Sequence, residues 1–243
     1  MKAGLFIPCY VDQLYPKVGM AAIELLEKLG VDVEYPRQQT CCGQPMANGG
    51  FEDLTFGSSE HFYKTFNKYD YVISPSGSCI AHVKHHLTGP EWSRGAFTEK
   101  AYELCEFLYD VLKVDFLPGN FDEKVGIHRS CHGLRELRLG PSSELKNGPV
   151  DKVAYLLNLL GNIEIVEHPR VDECCGFGGT FALGEEAVSV AMGHDRVKGF
   201  LQAGATVITG ADMSCLMHLE GIIKKSNYNI EVVHVAEILN SKY

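Results

Sequence analysis

The sequence predicts an α/β protein built from two pseudo-repeated domains. Each domain is expected to hold a small parallel sheet flanked by helices, with a thiol or metal site at the C-terminal ends of the strands. Short apolar runs of strand length alternate with helical patterns, as in parallel sheets covered by helices. The two halves of the chain repeat the same order of motifs. Cysteines follow the predicted strands, which is where open parallel sheets form their ligand sites.

In the first half, three short apolar runs predict buried strands: AGLFIP, VDVEY and YVIS. A helical pattern covers residues 17–30 and ends at Gly30, a residue type favoured just beyond helix C-termini. The segment KAYELCEFLYDVL, residues 100–112, has the spacing of an amphipathic helix. Because Cys105 falls on the apolar face of this helix, it is predicted to be a core residue.

The second half repeats this plan. The runs KVGIH, IEIVE, TVIT and IEVVH predict strands, and DKVAYLLNLLG, residues 151–161, predicts a helix. Between the halves, the segment LPGNFDE, residues 117–123, interrupts the pattern with Pro, Gly and Asn. We therefore expect one domain over residues 1–120 and a second over residues 121–243.

The internal repeat becomes visible when the two Cys-Cys-Gly triplets are superposed. VDVEYPRQQTCCG then matches IEIVEHPRVDECCG, KAGLFIPC matches KVGIHRSC, and YVISPSGSCIAH matches TVITGADMSCLMH. Each half carries the order Cys, then Cys-Cys-Gly, then Cys-x-x-His. Of the nine cysteines, only Cys105 lies outside this scheme. The members of the repeat, which are the predicted metal ligands, are Cys9, Cys41, Cys42, Cys79, Cys131, Cys174, Cys175 and Cys215.

Composition limits the classes of function. The 243 residues are 45% hydrophobic, and a net charge of −9 argues against nucleic acid or an anionic membrane surface as the main partner. No apolar run reaches the roughly 20 residues of a membrane-spanning helix, and the apolar stretch near the N-terminus is short for a signal peptide. We therefore expect a cytoplasmic protein, in which clustered cysteines are more often metal ligands or redox groups than disulfides.

Thiols at three strand ends in each half are expected to converge on one crevice per domain. The first cysteine follows the first strand, the adjacent pair follows the second, and the last cysteine follows the third. Four thiolates can hold zinc or an iron–sulfur cluster. Zinc sites favour pairs separated by two to four residues, whereas adjacent cysteines point their side chains apart and suit a larger centre with several metal atoms.

The glycines after each cysteine pair are predicted to bind the cofactor: Gly43, Gly176, Gly178 and Gly179. Without a Cβ, their backbone can approach a cluster closely, and their N–H groups can donate to cluster sulfur and raise its reduction potential. A simple turn before the helical segment EEAVSVAMGHDRV is an alternative interpretation of GFGG. A phosphate-binding loop is a third, although neither G-x-G-x-x-G nor a P-loop pattern is present.

Basic residues surround the first cysteine of the second half in HRSCHGLRELR. Because arginine can bind a carboxylate through two hydrogen bonds and histidine can accept a hydroxyl proton, His128, His132 and Arg135 are predicted catalytic residues. The alternative is that these residues only balance the charge of a cluster. His82 and His218, each three residues after a predicted ligand, are expected to hydrogen-bond cluster sulfur without contacting substrate.

The duplicated cysteine pattern resembles the cysteine-rich CCG-domain family. This family includes iron–sulfur subunits of heterodisulfide reductase, glycolate oxidase and the anaerobic glycerol-3-phosphate dehydrogenase. Seven segments carry the resemblance nearly end to end: IPCYVDQLYP, CCGQP, PSGSC, HRSCHGLREL, CCGFGG, MSCLMH and VVHVAEIL. The resemblance implies a cytoplasmic iron–sulfur, electron-transfer subunit in the oxidation of L-lactate, or a related 2-hydroxy acid, to the 2-oxo acid. The implied partners are a ferredoxin-like iron–sulfur protein and the third subunit of a lactate utilization complex.

One motif departs from the heterodisulfide reductase relatives, in which the last motif of each half is Cys-x-x-Cys. Ser76 and Asp212 occupy the first position of that motif here. Each half therefore offers four thiols rather than five, and the resemblance implies one or two [4Fe–4S] clusters. Ser76 and Asp212 are expected either to cap the helices that follow or to supply oxygen ligands.

Two other functions stay open at this point. The first is a non-redox scaffold whose thiols hold structural zinc. The second is a thiol–disulfide oxidoreductase that uses one of the adjacent cysteine pairs as its dithiol.

Overall fold

The structure, a computed structural model, describes residues 1–89, 95–145 and 148–241. Two four-stranded parallel sheets, one in each half of the chain, form its centre and are flanked by helices. The predicted α/β class with two similar halves is therefore confirmed. The last two residues of the predicted second domain lie outside the described residues.

The first sheet has its two most buried strands in the middle. Its strands are β1 (Lys2–Leu5), β2 (Asp32–Glu34), β3 (Tyr71–Ser74) and β4 (Ala101–Glu103), in the spatial order β2-β1-β3-β4. Three residues in each of β1 and β3 are buried. Burial along a whole strand is typical of parallel sheets, because helices cover both faces.

The second sheet repeats the order of the first. Its strands are β5 (Lys124–Ile127), β6 (Glu164–Val166), β7 (Val207–Thr209) and β8 (Glu231–Val232), in the order β6-β5-β7-β8. The register repeats as well, since Lys124 lies opposite Glu164 as Lys2 lies opposite Asp32. The internal repeat of the sequence is thus a repeat of topology.

The helices of the first half are α1 (Cys9–Leu14), α2 (Pro16–Lys28), α3 (Gln44–Asn48), α4 (Phe56–Phe66), α5 (Gly77–His85) and α6 (Leu104–Glu106). A 3₁₀ turn (Glu52–Thr55) precedes α4, and a π-helix (Phe107–Val111) continues α6. The predicted helix over 17–30 is α2. It begins with a proline, which is preorganised for the first helical turn, and ends before Gly30, whose φ is +78°.

The helices of the second half are α7 (Cys131–Arg135), α8 (Lys152–Leu157), α9 (Phe181–Gly184), α10 (Glu186–Gln202), α11 (Met213–Ser226) and α12 (Val235–Leu239). The sequence predicts a helix over 151–161, and α8 is shorter. Asp151 caps it by accepting a hydrogen bond from the Ala154 N–H at 2.9 Å. Its C-terminal end tightens into a turn, because Leu159 and Leu160 donate to carbonyls three residues back.

The segment 100–112 differs from its predicted single helix. Ala101–Glu103 forms the edge strand β4 against β3, and the helix begins only at Leu104. Parallel pairing supplies hydrogen bonds for these backbone groups. The side-chain carboxyl group of Glu103 then caps α6 by accepting a hydrogen bond from the Cys105 N–H at 2.7 Å. Cys105 is fully buried in the hydrophobic core, as predicted.

The two sheets meet at the carboxyl ends of their central strands. Ser76, after β3, and Asp212, after β7, pair as an isolated antiparallel bridge, and the Gly77 N–H donates to the Ala211 carbonyl at 2.9 Å. On the flank, α2 packs against α12 of the other half. The sequence predicts one crevice per domain, but this junction places both sets of strand ends around a single cleft.

The segment 112–123 joins the halves without a helix or strand, apart from an isolated pairing of Asn120 with Gly161. The predicted domain boundary at residue 120 falls in this segment. Within the ranges that the structure describes, no helix has the length and apolarity needed to cross a membrane.

Candidate metal centre

All eight cysteines of the repeat line one cavity of about 140 Å³ at the junction of the halves. Cys42 and Cys175 are buried, and the other six are half-buried. The rings of Tyr10 and Phe177, one from each half, also line this cavity and lie edge to face with centroids 6.3 Å apart. Thiols from both halves therefore face a common space with a partly aromatic wall.

The first thiol set consists of Cys9, Cys41, Cys42 and Cys79. Cys9 begins α1 just beyond β1, the adjacent pair lies in the loop after β2, and Cys79 stands in the first turn of α5 after β3. The sulfurs of Cys9 and Cys41 are 4.0 Å apart, and Cys42 is in hydrogen-bond contact with both Cys41 and Cys79. The four sulfurs form one connected group.

The second thiol set consists of Cys131, Cys174, Cys175 and Cys215, at the matching places of the second half. Cys131 begins α7, and Cys215 lies in the first turn of α11. Cys174 is in hydrogen-bond contact with Cys131, and Cys175 is in contact with Cys174 and Cys215. A ring nitrogen of His128 and the sulfurs of Cys175 and Cys215 lie within 4.8 Å of one another.

One thiol in each set is much more acidic than its neighbours. The S–H groups of the neighbouring cysteines donate to Cys41 and to Cys174, which lowers the pKa of each to about 2. The donating thiols, Cys9 and Cys131 among them, have raised pKa values because losing the proton breaks that hydrogen bond. Each set thus stabilises one thiolate, and a metal bound to all four sulfurs would displace the remaining protons.

Left-handed glycines turn backbone N–H groups toward the thiolates. Gly43 and Gly176 have φ values of +91° and +90°, and their N–H groups point at the sulfurs of Cys41 and Cys174 at 3.5 and 3.3 Å. The Phe177 N–H lies 3.5 Å from the Cys175 sulfur. Gly178 and Gly179 also have positive φ values and line the cleft. These loops supply a partial positive charge to the sulfurs.

Ser76 and Asp212 act as helix caps. The Ser76 hydroxyl accepts from the Cys79 N–H of its own helix at 3.5 Å. One oxygen of Asp212 accepts from the Ser214 N–H at 3.2 Å, and its other oxygen accepts from the Ser78 N–H of the other half at 2.6 Å. Asp212 therefore caps α11 and α5 together, and the helices that carry Cys79 and Cys215 are tied to one carboxylate.

The three predicted catalytic residues lie at different depths. His132 lines the cleft, and the Gln44 side-chain amide from the first half lies 3.3 Å from its Nε2. Arg135 is half-exposed and donates to Glu144 at 3.1 Å, which raises its pKa. His128 is buried behind the second thiol set and accepts a hydrogen bond from Arg196. The structure therefore does not gather these residues into one substrate-facing group.

His82 and His218 occupy matching places against the two cysteine pairs. His82 is buried, and desolvation lowers its pKa to about 4. Its ring lies beside the backbone of Cys42, as the His218 ring lies beside the backbone of Cys175. The His218 Nε2 also lies 3.3 Å from the Ser189 carbonyl. Each ring therefore contacts the backbone of the cysteine pair in its own half.

Sequence reasoning missed two features of the site. Arg196, on α10, is fully buried and reaches the second thiol set through His128. The sequence pattern does indicate that Arg196 is buried. Arg196 shares a helical face with Gly193 and Phe200, and a charged residue there breaks the apolar pattern. Tyr10 and Phe177 were also missed, because single aromatic residues beside cysteines have no distinctive spacing.

The residues present fit a metal–thiolate centre in each half. Each thiol set combines four sulfurs from three strand ends with amide donors, and positive-φ glycines leave room for a bound group. Buried polar atoms without a hydrogen-bond partner in the described ranges, among them the Nε2 atoms of His82 and His128, lie beside these sets. A bound inorganic group would give such atoms something to contact.

Comparison with known proteins agrees with the repeat. The family described as "Cysteine-rich domain" (CCG) matches residues 3–84 and again residues 125–220. Curated relatives named "Lactate utilization protein A" match along their whole length. The protein from Macrococcus caseolyticus is 37% identical over 100% of this chain and 97% of its own. The protein from Exiguobacterium sp. is 40% identical over 98% of this chain and 96% of its own.

Similarity to solved structures is low. Aspartate racemase from Picrophilus torridus aligns with 98% of this chain and 90% of its own, at 10% identity and a TM-score of 0.35. The family matches, by contrast, cover both cysteine-bearing halves, and the relatives span the full chain. This chain belongs to the cysteine-rich CCG-domain family, with one copy of the domain in each half.

Proposed function

We propose that this protein holds an iron–sulfur cluster in each half and serves as the electron-transfer subunit of a complex that oxidises L-lactate, or a related 2-hydroxy acid, to the 2-oxo acid. The observation that carries this proposal is the convergence of two four-thiol sets on one cleft. The substrate class follows from the relatives' printed name and from their full-length similarity to this chain.

Iron and sulfide suit these thiol sets better than zinc does. Two of the four ligands in each set are adjacent, and a single zinc ion is usually held by pairs separated by two to four residues. The N–H groups of Gly43 and Gly176 point at sulfur, and such donors stabilise the negative charge of a cluster with inorganic sulfide. Because each set offers four thiols, we assign one [4Fe–4S] cluster to each.

The chain's own residues would hold and shield these groups. When bound, the two clusters would each give or accept one electron, which matches the two electrons released by oxidising a 2-hydroxy acid. The eight cysteines would be the ligands, and the glycine loops would orient the sulfurs. Tyr10 and Phe177 would restrict water at the cleft, since their rings approach each other from opposite halves.

We place the oxidation of the hydroxy acid in the complex rather than in this chain alone. Arg135 is already paired with Glu144, so a substrate carboxylate would have to displace that partner. His132 lines the cleft and stays the better candidate for a proton acceptor. Charge balance beside an anionic centre accounts equally well for both residues.

A partner protein is proposed to dock beside the two Cys-Cys-Gly loops. Exposed apolar side chains follow each loop: Phe51 and Leu54 in the first half are 59% and 67% exposed, and Leu183 in the second half is 87% exposed. Contiguous exposed apolar side chains are typical of interaction surfaces. The proposed partners are a ferredoxin-like iron–sulfur protein and a third subunit of a lactate utilization complex, with the cytoplasm as the compartment.

A thiol–disulfide oxidoreductase is the second candidate, because one specific observation favours it. Cys41 and Cys174 have pKa values lowered to about 2 by hydrogen bonds from neighbouring thiols, and reactive cysteines are usually acidic. Alkylation of metal-free protein separates the two functions. One cysteine that reacts far faster than the rest would favour the dithiol enzyme.

The decisive experiment is a count of iron, acid-labile sulfide and zinc in protein purified without oxygen. Under the proposed function, the protein is brown, holds iron and sulfide in equal amounts, and gives an electron paramagnetic resonance signal when reduced. Colourless protein that contains zinc alone would support the structural scaffold instead.

A further inference from the structure

A buried Arg–His pair lies behind the second thiol set. His128 and Arg196 are 2% and 0% exposed. The Arg196 Nε–H donates to the Nδ1 of His128 at 3.1 Å. The guanidinium also donates to the carbonyls of Arg170 and, at 3.0 Å, Val171, in the loop that leads to the second cysteine pair. The pair is therefore fixed to the backbone of that site.

Arg196 determines which nitrogen of His128 carries the proton. Arginine stays protonated in proteins, so its Nε can only donate and the Nδ1 of His128 must accept. Imidazolium is excluded as well, since both of its nitrogens carry protons. The remaining proton of His128 is consequently on Nε2, and Nε2 has no hydrogen-bond partner within the described ranges. A ring nitrogen of His128 lies within 4.8 Å of the sulfurs of Cys175 and Cys215.

The charge of Arg196 also lacks a carboxylate partner. In the described part of the chain it forms no ion pair, and Glu173 nearby is paired with Arg170 instead. A fully buried cation is strongly unfavourable unless a counter-charge lies close by. The negative groups whose field favours the Arg196 cation are the Glu173 carboxylate and the sulfur of Cys175, a member of the second thiol set.

Among the described residues of the first half, no Arg–His pair occupies the equivalent place. In the repeat, KAGLFIPC matches KVGIHRSC, so Phe6 takes the place of His128. Phe6 packs edge to face on Phe62 and Phe66, with ring centroids 5.0 and 5.6 Å apart. The position that matches His128 therefore offers neither an N–H donor nor a positive charge. His82, the buried histidine beside the first thiol set, lies on α5, and no arginine hydrogen-bonds its ring within the described ranges.

We propose that, when a cluster is bound, His128 donates its Nε2–H to the ligand sulfurs of the second thiol set and Arg196 holds His128 in that tautomer. The pair of residues then makes the second site the more readily reduced of the two. The proposal rests on the iron–sulfur function proposed above. Hydrogen bonds to sulfur and a nearby positive charge both stabilise the reduced, more negative cluster, and both raise its reduction potential. His128 is thereby a hydrogen-bond donor to sulfur that Arg196 positions, rather than the proton acceptor that its position in the sequence suggests.

The test compares the reduction potentials of single-site proteins. In Cys42→Ala protein only the second site is intact, and in Cys175→Ala protein only the first site is intact. The reduction potential of each site can then be measured separately. We expect the higher midpoint potential in Cys42→Ala protein, by a redox titration followed with electron paramagnetic resonance. Adding His128→Phe to Cys42→Ala should lower that potential, and His128→Gln, which places an amide N–H near the position of Nε2, should restore most of it.

Two controls separate this role from a structural one. His128→Phe added to Cys175→Ala should leave the potential of the first site unchanged. His194→Phe is the matched substitution in the same half, because His194 contacts Tyr228 and does not line the cleft. An unchanged second-site potential in His128→Phe, or equal shifts at both sites, would overturn the proposal.

The tautomer is measurable without any metal. In metal-free protein labelled with ¹⁵N-histidine, the nitrogen shifts of His128, assigned with the His128→Gln variant, should show a protonated Nε2 and an unprotonated Nδ1. The opposite tautomer would overturn the proposal even if the potentials differ. A protein that binds no iron would instead refute the function proposed above, and the tuning role of His128 with it.

Discussion

Cys175 is the most buried member of the second thiol set, and its sulfur contacts those of Cys174 and Cys215. Removing it leaves three ligands where the proposed cluster needs four. We expect Cys175→Ala to lose about half of the iron and sulfide, because the first thiol set is built by other elements and stays filled. Metal analysis of anaerobically purified protein measures this loss.

Cys105→Ala provides the matched control for that loss. Cys105 is equally buried, but it lies in the core and not at the cleft. The iron content of Cys105→Ala should equal that of the unaltered protein. If Cys175→Ala keeps all of its iron, the assignment of Cys175 as a ligand is wrong.

Gly176 is required by its conformation and by its surroundings. Its φ is +90°, and a Cβ there would lie 2.7 Å from the Ser189 carbonyl oxygen and 2.8 Å from the Met192 Cβ. We expect Gly176→Ala to destabilise the metal-free protein by about 2–4 kcal/mol, from left-handed strain of about 1–2 kcal/mol plus overpacking against α10. Urea unfolding monitored by circular dichroism measures the change.

Gly204→Ala separates these two contributions. Gly204 has a similar φ of +81°, but a Cβ there meets no other atom within 4 Å. Its substitution should cost only the backbone strain, about 1–2 kcal/mol. Equal losses at the two positions would mean that the contact of Gly176 with α10 contributes nothing.

Residue types and spacing were enough to group the cysteines into two sets of four, but not to predict that both sets line one cleft. They were also enough to expect Ser76 and Asp212 as caps, because each stands directly before a helix. They did not predict the buried pair of Arg196 and His128. The two residues lie far apart in the chain, and only the packing of α10 against β5 brings them together.

At the scale of elements, one carboxylate joins two helices from different halves. Asp212 accepts hydrogen bonds from the N–H groups of Ser214, in α11, and Ser78, in α5. Loss of a cap costs about 1 kcal/mol, and an unpaired buried N–H costs about 1–3 kcal/mol. We therefore expect Asp212→Ala to lower the free energy of unfolding by about 2–4 kcal/mol, measured by urea unfolding of metal-free protein.

Ser130→Ala is the single-helix comparison. Ser130 is buried and caps only α7, by accepting from the Gly133 N–H at 3.2 Å. Its loss should cost about 1 kcal/mol, within the range for one cap. Asp212→Ala should also loosen both thiol sets, whereas Ser130→Ala affects only the second. A loss at Asp212 no larger than that at Ser130 would show that the bond to Ser78 has no energetic role.

His234 makes the stability of the C-terminal helix depend on pH. It caps α12 with Nδ1, which accepts from the Ala236 N–H at 3.1 Å, and burial lowers its pKa to about 3 from an ordinary 6.5. The folded state thus binds fewer protons than the unfolded state between these values. The contribution of His234 to the free energy of unfolding is complete above about pH 6.5. It is lost as the pH falls toward 3, by at most about 1.4 kcal/mol per pH unit.

His234→Asn tests this dependence, because asparagine keeps a cap acceptor and does not titrate. Glu103 acts in the opposite direction: burial raises its pKa to about 8, so its contribution is lost as the pH rises. The comparison must therefore be between the variant and the parent. In urea unfolding, the free energy of unfolding should rise with pH less steeply in the variant than in the parent, by about one proton near pH 5 and by progressively less toward pH 7. Parallel slopes near pH 5 would contradict the prediction.

Elements were predictable where their pattern is local. The strands that precede the cysteines and the helix α2 follow from short apolar runs and helical spacing. β4 was not predictable in this way, because Ala101–Glu103 becomes a strand only by pairing with β3. Its sequence continues into a helix without a turn residue, and tertiary pairing overrides the local helical preference.

At the scale of the whole molecule, the repeat places two sites in one cleft. Duplication alone predicts two similar domains and two crevices. The two crevices form one cleft because two contacts join the halves. These contacts are the bridge between Ser76 and Asp212 and the 2.7 Å hydrogen bond from the Tyr15 hydroxyl to Glu220. The hydrophobic periodicity of the sequence does not reveal these contacts, because the residues that they join come together only at the junction of the folded halves. Their consequence is that the two thiol sets share a wall.

A shared cleft has a magnetic consequence that separate crevices lack. Both thiol sets line the same cavity of about 140 Å³, so two reduced clusters would lie close to each other. The coupling between electron spins falls steeply with distance. We expect the fully reduced protein to give an electron paramagnetic resonance spectrum broadened by this coupling, whereas Cys42→Ala and Cys175→Ala proteins, each with one cluster, give narrow spectra. If the spectrum of the unaltered protein equals the sum of the two single-site spectra, the sites are too far apart to interact, and the halves do not close around one cleft in solution.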